Sequence, residues 1–591
     1  MSYRAPVEDM LFVMQELAGI DAVAQLPGHE EAGRDTAAAV LGECARFNEG
    51  VVAPLNHPAD RSPSSLRDGR VTTSAGFKEA FAQFAAGGWQ GLQHPPQFGG
   101  QGLPKLIHSA CAEMVNSASL SFALCPLLTD GAIEALLTAG SAEQQAAYIP
   151  RMIDGSWTGS MNLTEAQAGS DLSLVRTRAE PRADGSWLLF GTKIFITYGE
   201  HDLTDNIVHL VLARAAGAPE GVKGISLFIC PKLLADGTRN DVHCVSIEHK
   251  LGIKASPTAV LQYGDHGGAV AYLVGQENRG LEYMFVMMNA ARFGVGIQGI
   301  ALAERAYQQA VAYARERVQS RPADGSLNKA APIIHHPDVR RMLMTMRAHT
   351  EGCRALAYVA AAAYDAAHAH ADAAVRAQNQ AFYEFMVPLV KGLATEMALE
   401  VASLGVQVHG GMGYIEETGA AQHLRDAKIL TIYEGTTAIQ ANDLVGRKTM
   451  RDGGATARAV AAQIAATVAE LQAQGGAACQ AMARRLDGAR RAFLDAVDYV
   501  VAQGKQDPNA VFAGSVPYLM LAGTLAAGWQ MARALRVAEA RLAAGEAPEF
   551  MRAKIATARF YGEHILNRAG AWRDSIVEGA DAVTALALEA F

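Results

Sequence analysis

Three short stretches of the sequence combine glycine with polar side chains, unlike the apolar sequence around them. They are residues 161–171 (MNLTEAQAGSD), 407–414 (QVHGGMGY) and 432–440 (IYEGTTAIQ). Glycine lets a backbone come close to a ligand. The serine, threonine, glutamate and glutamine side chains supply hydrogen-bond donors and acceptors. We therefore take these stretches as the first candidates for a binding or catalytic site.

Glu434 is the residue in these stretches best suited to remove a proton. It lies among leucine and isoleucine residues with no adjacent cation, and an apolar setting raises the pKa of a carboxyl group towards neutrality. Gly435 permits a tight turn, Thr436 or Thr437 can cap a following helix, and backbone N–H groups there can stabilise a developing negative charge. The alternative is a glutamate that only stabilises a helix start, and the local sequence by itself favours that alternative.

The composition is that of a folded protein of several domains. Of the 591 residues, 50% are hydrophobic and 19% are charged, and the net charge is −9. A chain of this length divides into more than one core. Because there is no excess of positive charge, we expect no binding to nucleic acid.

The seven cysteines are scattered and contain no Cys-x-x-Cys pair, which argues against a disulfide framework and a structural zinc site. The N-terminus reaches charged residues before a signal-peptide core could form. No run approaches the roughly 18 consecutive apolar residues of a membrane span. The sequence therefore predicts a cytoplasmic protein without a metal and without an integral membrane segment.

Strand-like segments interrupt a sequence that is otherwise helical in pattern. Short β-branched and aromatic runs bounded by glycine, aspartate or proline fill the middle, and helical spacing precedes and follows them. No Gly-x-Gly-x-x-Gly follows a strand, so a Rossmann-type site is not expected. We predict a mainly α fold with a central β-domain, divided into an N-terminal extension (1–40), an N-terminal α-helical domain (41–157), a β-domain (158–278), an α-helical bundle with Glu434 (279–446) and a C-terminal α-helical domain (447–591).

The three stretches, in this order and in an α-β-α setting, resemble the acyl-CoA dehydrogenase family over residues 40–445. The family has a Thr-Glu-x-x-(Ala)-Gly-Ser-Asp flavin loop, a Gln-x-x-Gly-Gly-x-Gly segment and a Tyr-Glu-Gly-Thr motif that contains the catalytic base. The additional residues at both ends resemble the longer bacterial branch, which includes very-long-chain-type and 3-methylmercaptopropionyl-CoA enzymes. The resemblance implies the family's α-β-α architecture followed by an all-α domain.

The resemblance also implies a cofactor, FAD, and a reaction, the α,β-dehydrogenation of an acyl-CoA to the trans-2-enoyl-CoA. Glu434 would remove the α-proton, and flavin N5 would accept the β-hydrogen as hydride. Tyr433 and Gly435 would contact the substrate beside it. Arg292 matches a family arginine near the CoA arm, although Asn289 stands where the family usually has an acidic residue.

Residues of both other motifs are implied to bind the flavin. Phe195 replaces the family's usual tryptophan, and on sequence alone it is better interpreted as an aromatic of the β-core. His409 is interpreted as a packed or capping histidine. The implied FAD contacts within the chain are Met161, Leu163, Thr164, Gly169, Ser170 (which also reaches the substrate), Phe195, Thr197 and Thr436. Four further residues would bind the cofactor of a neighbouring subunit, which implies a homodimer: Arg317, Gln319, Gln407 and Gly411.

Three questions stay open at this point. An electron-transfer flavoprotein is the implied acceptor in fatty acid β-oxidation, but an acyl-CoA oxidase that uses oxygen and a non-catalytic acyl-CoA-binding scaffold are alternatives. The acyl chain length cannot be derived from the motifs. Residues 447–591 carry no recognisable motif; we expect their apolar stretch 516–541 to be buried against the rest of the protein, with membrane-surface association as the alternative.

Overall fold

The computed structural model describes residues 3–591, which form twenty α-helices and ten strands in the predicted α-β-α-α order. The N-terminal part contains α1 (Val7–Phe12), α2 (Ile20–Val23), α3 (Arg34–Phe47), α4 (Asn56–Arg61), β1 (Ser65–Arg67), β2 (Arg70–Thr72), α5 (Phe77–Ala86), α6 (Lys105–Ala118), α7 (Leu120–Ala139) and α8 (Ala142–Ile153). The middle part contains β3 (Trp157–Asn162), β4 (Arg178–Pro181), β5 (Trp187–Thr197), β6 (Asn206–Ala215), β7 (Ser226–Pro231), β8 (Val242–Ile247), β9 (Thr258–Tyr263) and β10 (Ala269–Val274).

Helices account for the rest of the chain. The bundle consists of α9 (Gly280–Glu316), α10 (Pro337–Ala369), α11 (Ala373–His409), α12 (Ala420–Leu430) and α13 (Thr437–Val445). The C-terminal part consists of α14 (Ala455–Gln474), α15 (Ala477–Gln503), α16 (Pro508–Ala513), α17 (Ser515–Ala543), α18 (Pro548–Phe560), α19 (Ala569–Val577) and α20 (Ala580–Thr584). The predicted fold class, mainly α with a central β-domain, is confirmed.

The β-domain is a sheet that closes on itself. Its strands run in the order β10-β7-β6-β4-β5-β9-β8, β10 also pairs with β5, and β3 lies parallel to β6. The chain turns from β4 into β5 through Asp184 and Gly185, where Gly185 has φ +84°. This left-handed conformation suits glycine. The closed sheet holds the loop after β3, which resembles the family's flavin loop, in a fixed position beside β5.

The helical bundle packs long alanine-rich faces against one another. In α9, Ala303, Ala306, Ala310 and Ala314 are all buried, at the helical spacing seen in the sequence. α9 lies against α11, α10, α7 and α6. Helices packed this closely hold the residues between them in fixed geometry, because small side chains bring the backbones together.

The C-terminal part is packed against the bundle through α17. A Cβ atom placed on Gly392 of α11 would lie 2.7 Å from Leu519, and one on Gly523 of α17 would lie 2.9 Å from Leu393. Each helix therefore presents a glycine to a leucine of the other. The expectation that residues 516–541 are buried is confirmed, since most of α17 is inaccessible.

Two helices, α7 and α9, are long and apolar enough to cross a bilayer by length and composition alone. However, 78% of the apolar window of α7 and 67% of that of α9 is buried within the protein. Core helices also meet this criterion, so these two helices are weak support for a span. The absence of an integral membrane segment stays a prediction.

Candidate active site

A cavity of about 1070 Å³ lies between the β-domain and the bundle. It brings together the first and third of the glycine-containing stretches, which are more than 260 positions apart in the sequence. The predicted site residues that line it are Met161, Leu163, Thr164, Gly169, Ser170, Phe195, Thr197, Arg292, Tyr433, Glu434, Gly435 and Thr436.

Glu434 sits in a turn whose backbone is left-handed at two successive residues. Its φ is +55°, and that of Gly435 is +86°. Lys391 Nζ donates to the carbonyl of Gly435 at 2.7 Å, and Gln440 Nε2 donates to the carbonyl of Glu434 at 3.3 Å. A Cβ on Gly435 would lie 2.7 Å from Gln440 Nε2, so glycine is required there for space as well as for conformation.

Helix α13 begins directly after this turn. Thr436 is its N-cap, with Oγ1 accepting from the backbone N–H of Ile439 at 3.3 Å. Of the two threonines proposed as the cap, Thr436 therefore has this role, while Thr437 Oγ1 bonds to Glu396. Within residues 3–591, the N–H of Glu434 has no hydrogen-bond acceptor, which leaves it available to a ligand oxygen in the cavity.

The carboxyl group of Glu434 is protonated more readily than an ordinary glutamate. Burial raises its pKa to about 7, against the lowering effects of Arg292 and Lys391. The sequence indicated no nearby cation; this was wrong in three dimensions, because α9 and α11 each bring one. Desolvation outweighs both, so a proton acceptor with a near-neutral pKa results.

Arg292 is buried in the cavity wall, and its counter-ion comes from α13 rather than from its own helix. Its Nη1 lies 3.8 Å from Asp443 Oδ2 and donates to Asn289 Oδ1 at 3.4 Å. Asp443 of α13 therefore provides the negative charge that the family's acidic residue would provide at position 289. Since α13 also follows the Glu434 turn, Arg292 connects α9 to the catalytic segment.

Tyr433 is bonded to α9 rather than to its neighbour Glu434, because its hydroxyl donates to Gln298 Oε1 of α9. Gln298 is fully buried. This bond joins the turn to α9 a second time. Lys391, Gln298 and Asp443 were not identified from the sequence, although a lone lysine in the apolar run of α11 was a visible signal.

The loop of residues 163–170 is held by one buried ion pair. Lys193 Nζ of β5 lies 2.8 Å from Glu165 Oε1, and it also donates to the carbonyl of Leu163 at 2.9 Å. The N–H groups of Arg176 and Thr177 donate to the same carboxylate. Lys193 and these hydrogen bonds outweigh the effect of burial and lower the pKa of Glu165 to about 2, so it serves as a fixed anchor rather than a proton carrier.

Phe195 is not part of the β-core, contrary to the interpretation from the sequence alone. Its side chain is 59% exposed at the cavity, and its φ is +59°. The register between β5 and β9 shifts between Lys193 and Ile196. A bulge of this kind redirects a side chain, and here it turns the phenyl ring out of the sheet to the cavity.

Four of the predicted residues lie outside the cavity of their own chain. Arg317 follows α9 and is exposed, as is Gln319. Gln407 lies in the last turn of α11 and Gly411 follows that helix, and both are also exposed. No ion pair to Arg317 forms within the described residues. Their assignment to a neighbouring subunit's cofactor stays a prediction.

His409, in the second glycine-containing stretch, is a packed histidine. It is buried, its Nδ1 lies 2.7 Å from the carbonyl oxygen of Gly405, and its ring stacks on Tyr313 with centroids 4.4 Å apart. The expected packing of this histidine is confirmed. The stretch therefore presents two exposed glycines, Gly410 and Gly411, and not its imidazole.

Four family models match consecutive parts of the chain. They are the acyl-CoA dehydrogenase N-terminal domain (residues 35–156), middle domain (160–266) and C-terminal domain (278–449), and the acetyl-CoA dehydrogenase C-terminal-like domain (460–587). The last match covers most of the region in which the sequence showed no motif.

Full-length relatives are also found. The chain is 55% identical over 593 residues, covering 100% of both chains, to 3-methylmercaptopropionyl-CoA dehydrogenase of Ruegeria pomeroyi. It is 36% identical, over 95% of both chains, to the broad-specificity linear acyl-CoA dehydrogenase FadE5 of Mycobacterium tuberculosis. In fold, it resembles an acyl-CoA dehydrogenase of Bacillus anthracis complexed with FAD, with a TM-score of 0.73 and 21% identity over 95% of this chain and 92% of that one.

Proposed function

Because this chain belongs to the acyl-CoA dehydrogenase family, we propose that it oxidises a short thioether acyl-CoA of the 3-methylmercaptopropionyl type. The reaction class is the α,β-dehydrogenation of an acyl-CoA thioester, with FAD as the cofactor. The observation that carries the mechanism is a carboxyl group with a pKa near 7, Glu434, in the same cavity as the 163–170 loop.

The residues around the cavity fit an isoalloxazine and its chain. Met161 and Leu163 offer an apolar wall, Thr164, Ser170 and Thr197 offer hydroxyl groups, and Gly169 has open space where a side chain would stand. Thr258 Oγ1, buried in the same lining, has no hydrogen-bond partner among the described residues. A buried hydroxyl without a partner is costly, so a ligand that accepts or donates there is favoured.

Glu434 takes the α-proton of the bound thioester. The backbone N–H of Glu434 is free to donate to the thioester carbonyl, where negative charge accumulates as the proton leaves. Bound FAD supplies the acceptor for the β-hydrogen and its electron pair. The Lys391 and Gln440 bonds hold the turn, so the carboxyl group keeps one position through the step.

We assign the thioether substrate from the Ruegeria pomeroyi relative, which covers the whole chain at 55% identity. The 3-methylmercaptopropionyl group extends only two heavy atoms, the sulfur and the methyl carbon, beyond the β-carbon. An electron-transfer flavoprotein is the proposed acceptor; the relatives named above are dehydrogenases, which favours it over oxygen and over a non-catalytic role. A homodimer is proposed because Arg317, Gln319, Gln407 and Gly411 are exposed away from their own cavity. A role in fatty acid β-oxidation and a cytoplasmic location stay predictions.

Anaerobic titration tests this function. The purified protein should be yellow, and 3-methylmercaptopropionyl-CoA should bleach it. Glu434→Gln should keep the flavin and lose the bleaching, because the amide cannot accept the proton. Normal bleaching in that variant would contradict the assignment of the base, and peroxide formation matching turnover would favour the oxidase alternative.

A further inference from the structure

Two histidines and an aspartate meet at the rim of the β-domain. Nε2 of His243 and Nδ1 of His266 each lie 3.1 Å from the same oxygen, Oδ1 of Asp241. These three atoms all lie within 4.8 Å of one another, and residues 3–591 contain no second group of three side chains that could hold a metal ion. Imidazole nitrogen and carboxylate oxygen suit divalent transition metals such as Zn²⁺. The expectation of a protein without a metal rested on the cysteines and did not weigh these residues, which the fold brings together.

The carboxylate of Asp241 is already held in one orientation. Its second oxygen, Oδ2, accepts hydrogen bonds from the backbone N–H groups of His266 at 2.7 Å and Gly268 at 3.1 Å. The backbone carbonyl of Asp241 accepts from the N–H of Gly264 at 2.9 Å. The turn between β9 and β10 is therefore fixed against the start of β8, and Oδ1 is left to face the two rings. Outer hydrogen bonds of this kind orient the carboxylate ligands of metal sites.

The spacing of the three atoms fits a single metal ion. Around a tetrahedral Zn²⁺ with bonds of about 2.0–2.1 Å, two ligand atoms stand about 3.3 Å apart. Both nitrogen-to-oxygen distances, at 3.1 Å, are close to that value, so an ion can enter with small side-chain shifts. The rings are accessible, since the side chain of His266 is 76% exposed and that of His243 is 40% exposed. Water can therefore occupy a fourth position.

We propose that Asp241, His243 and His266 form a binding site for one divalent transition-metal ion, with Zn²⁺ as its probe. The ion joins β8, the strand at the end of the sheet order, to the turn between β9 and β10. It stabilises the closed sheet, because a ligand that binds only the folded state favours that state. The site lies apart from the reaction: β8 leads from it to Glu248, which lines the reaction cavity, and six residues of strand span about 20 Å. The inference is therefore independent of the acyl-CoA substrate.

The test is a calorimetric titration with Zn²⁺ of the flavin-loaded protein, freed of metal by EDTA. We expect the wild type to bind one Zn²⁺ per chain at this site and to unfold at a higher temperature with Zn²⁺ than without it. His243→Gln and His266→Gln should each weaken binding at least about tenfold, since even the loss of an outer partner of a metal ligand costs about 10- to 100-fold in affinity. Both side chains are accessible to solvent, so these variants and the double variant should fold.

Two controls separate this site from general binding to the surface. His564→Gln removes another exposed histidine, which stacks on Phe560, and it should leave the affinity for Zn²⁺ unchanged. Mg²⁺ prefers oxygen ligands in octahedral geometry, so it should neither bind with comparable affinity nor displace Zn²⁺.

Two results would overturn the inference. One is a wild-type protein that takes up no Zn²⁺ at millimolar concentration, which would leave the three residues as a hydrogen-bonded cluster only. The other is an unchanged affinity in the double variant, which would place the ion elsewhere on the surface. Failure of an acyl-CoA to bleach the flavin would refute the proposed function and leave the metal site standing, so the two failures are distinguishable.

Discussion

Glu434 illustrates how position in three dimensions determines the chemistry of a single carboxyl group. Its pKa of about 7 results from burial acting against two cations, Arg292 and Lys391. If either the burial or the cations changed, the fraction of ionised base at neutral pH would change with them. This balance leads to predictions of pH dependence, of stability and of the effect of Arg292.

The first prediction concerns the pH dependence of flavin reduction. Only the ionised form of Glu434 can accept the α-proton, so kcat/KM should rise with pH and reach half its maximum near pH 7. Stopped-flow reduction between pH 5.5 and 9 measures this. A flat profile over that range would contradict the raised pKa.

The same shift has a consequence for stability. A carboxyl whose pKa is higher in the folded than in the unfolded state stabilises the fold below its unfolded pKa, and this contribution is lost as the pH rises through about 7. Above pH 7 the ionised Glu434 therefore costs free energy, on the order of 1–3 kcal/mol. Glu434→Gln should accordingly unfold at a higher temperature than the wild type at pH 8, with a smaller difference at pH 5.

The second prediction concerns Arg292→Gln. Removal of this charge should raise the pKa of Glu434, so the midpoint of the kcat/KM profile should move upward by on the order of one pH unit. Arg279→Gln is the control, since Arg279 pairs with Glu282 on the surface at the start of the same helix. An unshifted midpoint, even with reduced activity, would show that Arg292 acts on substrate binding alone.

The sequence predicted the base and the cap but not the charges around them. Gly435 and the threonine cap were recognisable because a turn and a cap are local features, whereas Glu434 was identified as the base only through the family motif, since its local sequence alone favoured a helix-start carboxylate. Arg292 and Lys391 come from helices that are distant in the chain, and their approach depends on tertiary packing. Asp443 replaces a missing acid from a different helix, which no local pattern shows.

At the scale of elements, β5 is the strand that organises the flavin side of the site. It carries Lys193, which anchors the 163–170 loop, and two residues later Phe195, which a bulge turns towards the cavity. The strands of the β-domain were predictable from alternation and turn residues. The bulge was not, so the sequence alone placed Phe195 in the β-core, whereas the family resemblance had already implied that it contacts the flavin.

The third prediction tests the anchor of that loop. Glu165→Gln leaves Lys193 buried without its counter-ion, which should destabilise the protein by on the order of 3–5 kcal/mol and reduce the bound flavin. Thermal unfolding and the flavin-to-protein absorbance ratio measure both effects. Glu180→Gln breaks an exposed pair with Arg178 and should change stability by less than about 1 kcal/mol; equal effects in the two variants would contradict the anchoring role.

At the scale of the whole molecule, a buried ionic network joins the two ends of the chain to the bundle. Arg354 of α10 contacts Asp9 of α1 at 2.7 Å and Glu113 of α6 at 2.6 Å. Lys554 of α18 contacts Asp9 and also Glu351 at 2.6 Å. The helical character of both ends was predictable, whereas their joining was not, because isolated charges in a sequence do not indicate their partners.

The fourth prediction concerns this network. Lys554→Met should leave Asp9 and Glu351 undercompensated in a buried setting, which costs on the order of 3–5 kcal/mol. Differential scanning fluorimetry should show a lower midpoint, and limited proteolysis should cut the C-terminal region sooner. Arg536→Met, which breaks a surface pair with Glu470, is the control; a midpoint as low as that of Lys554→Met would refute the special role of the network.

The joining of the two chain ends also determines when a newly made molecule can become active. The ribosome adds Lys554 545 positions after Asp9, which at cellular rates is roughly half a minute to two minutes later. Helix α17, which packs against α13 beside the Glu434 turn, is also made late. During that interval α1 carries a carboxylate without Lys554, and the bundle exposes the apolar surface that α17 will cover. A truncated or stalled chain should therefore be a substrate for chaperones and proteases rather than a partly active enzyme.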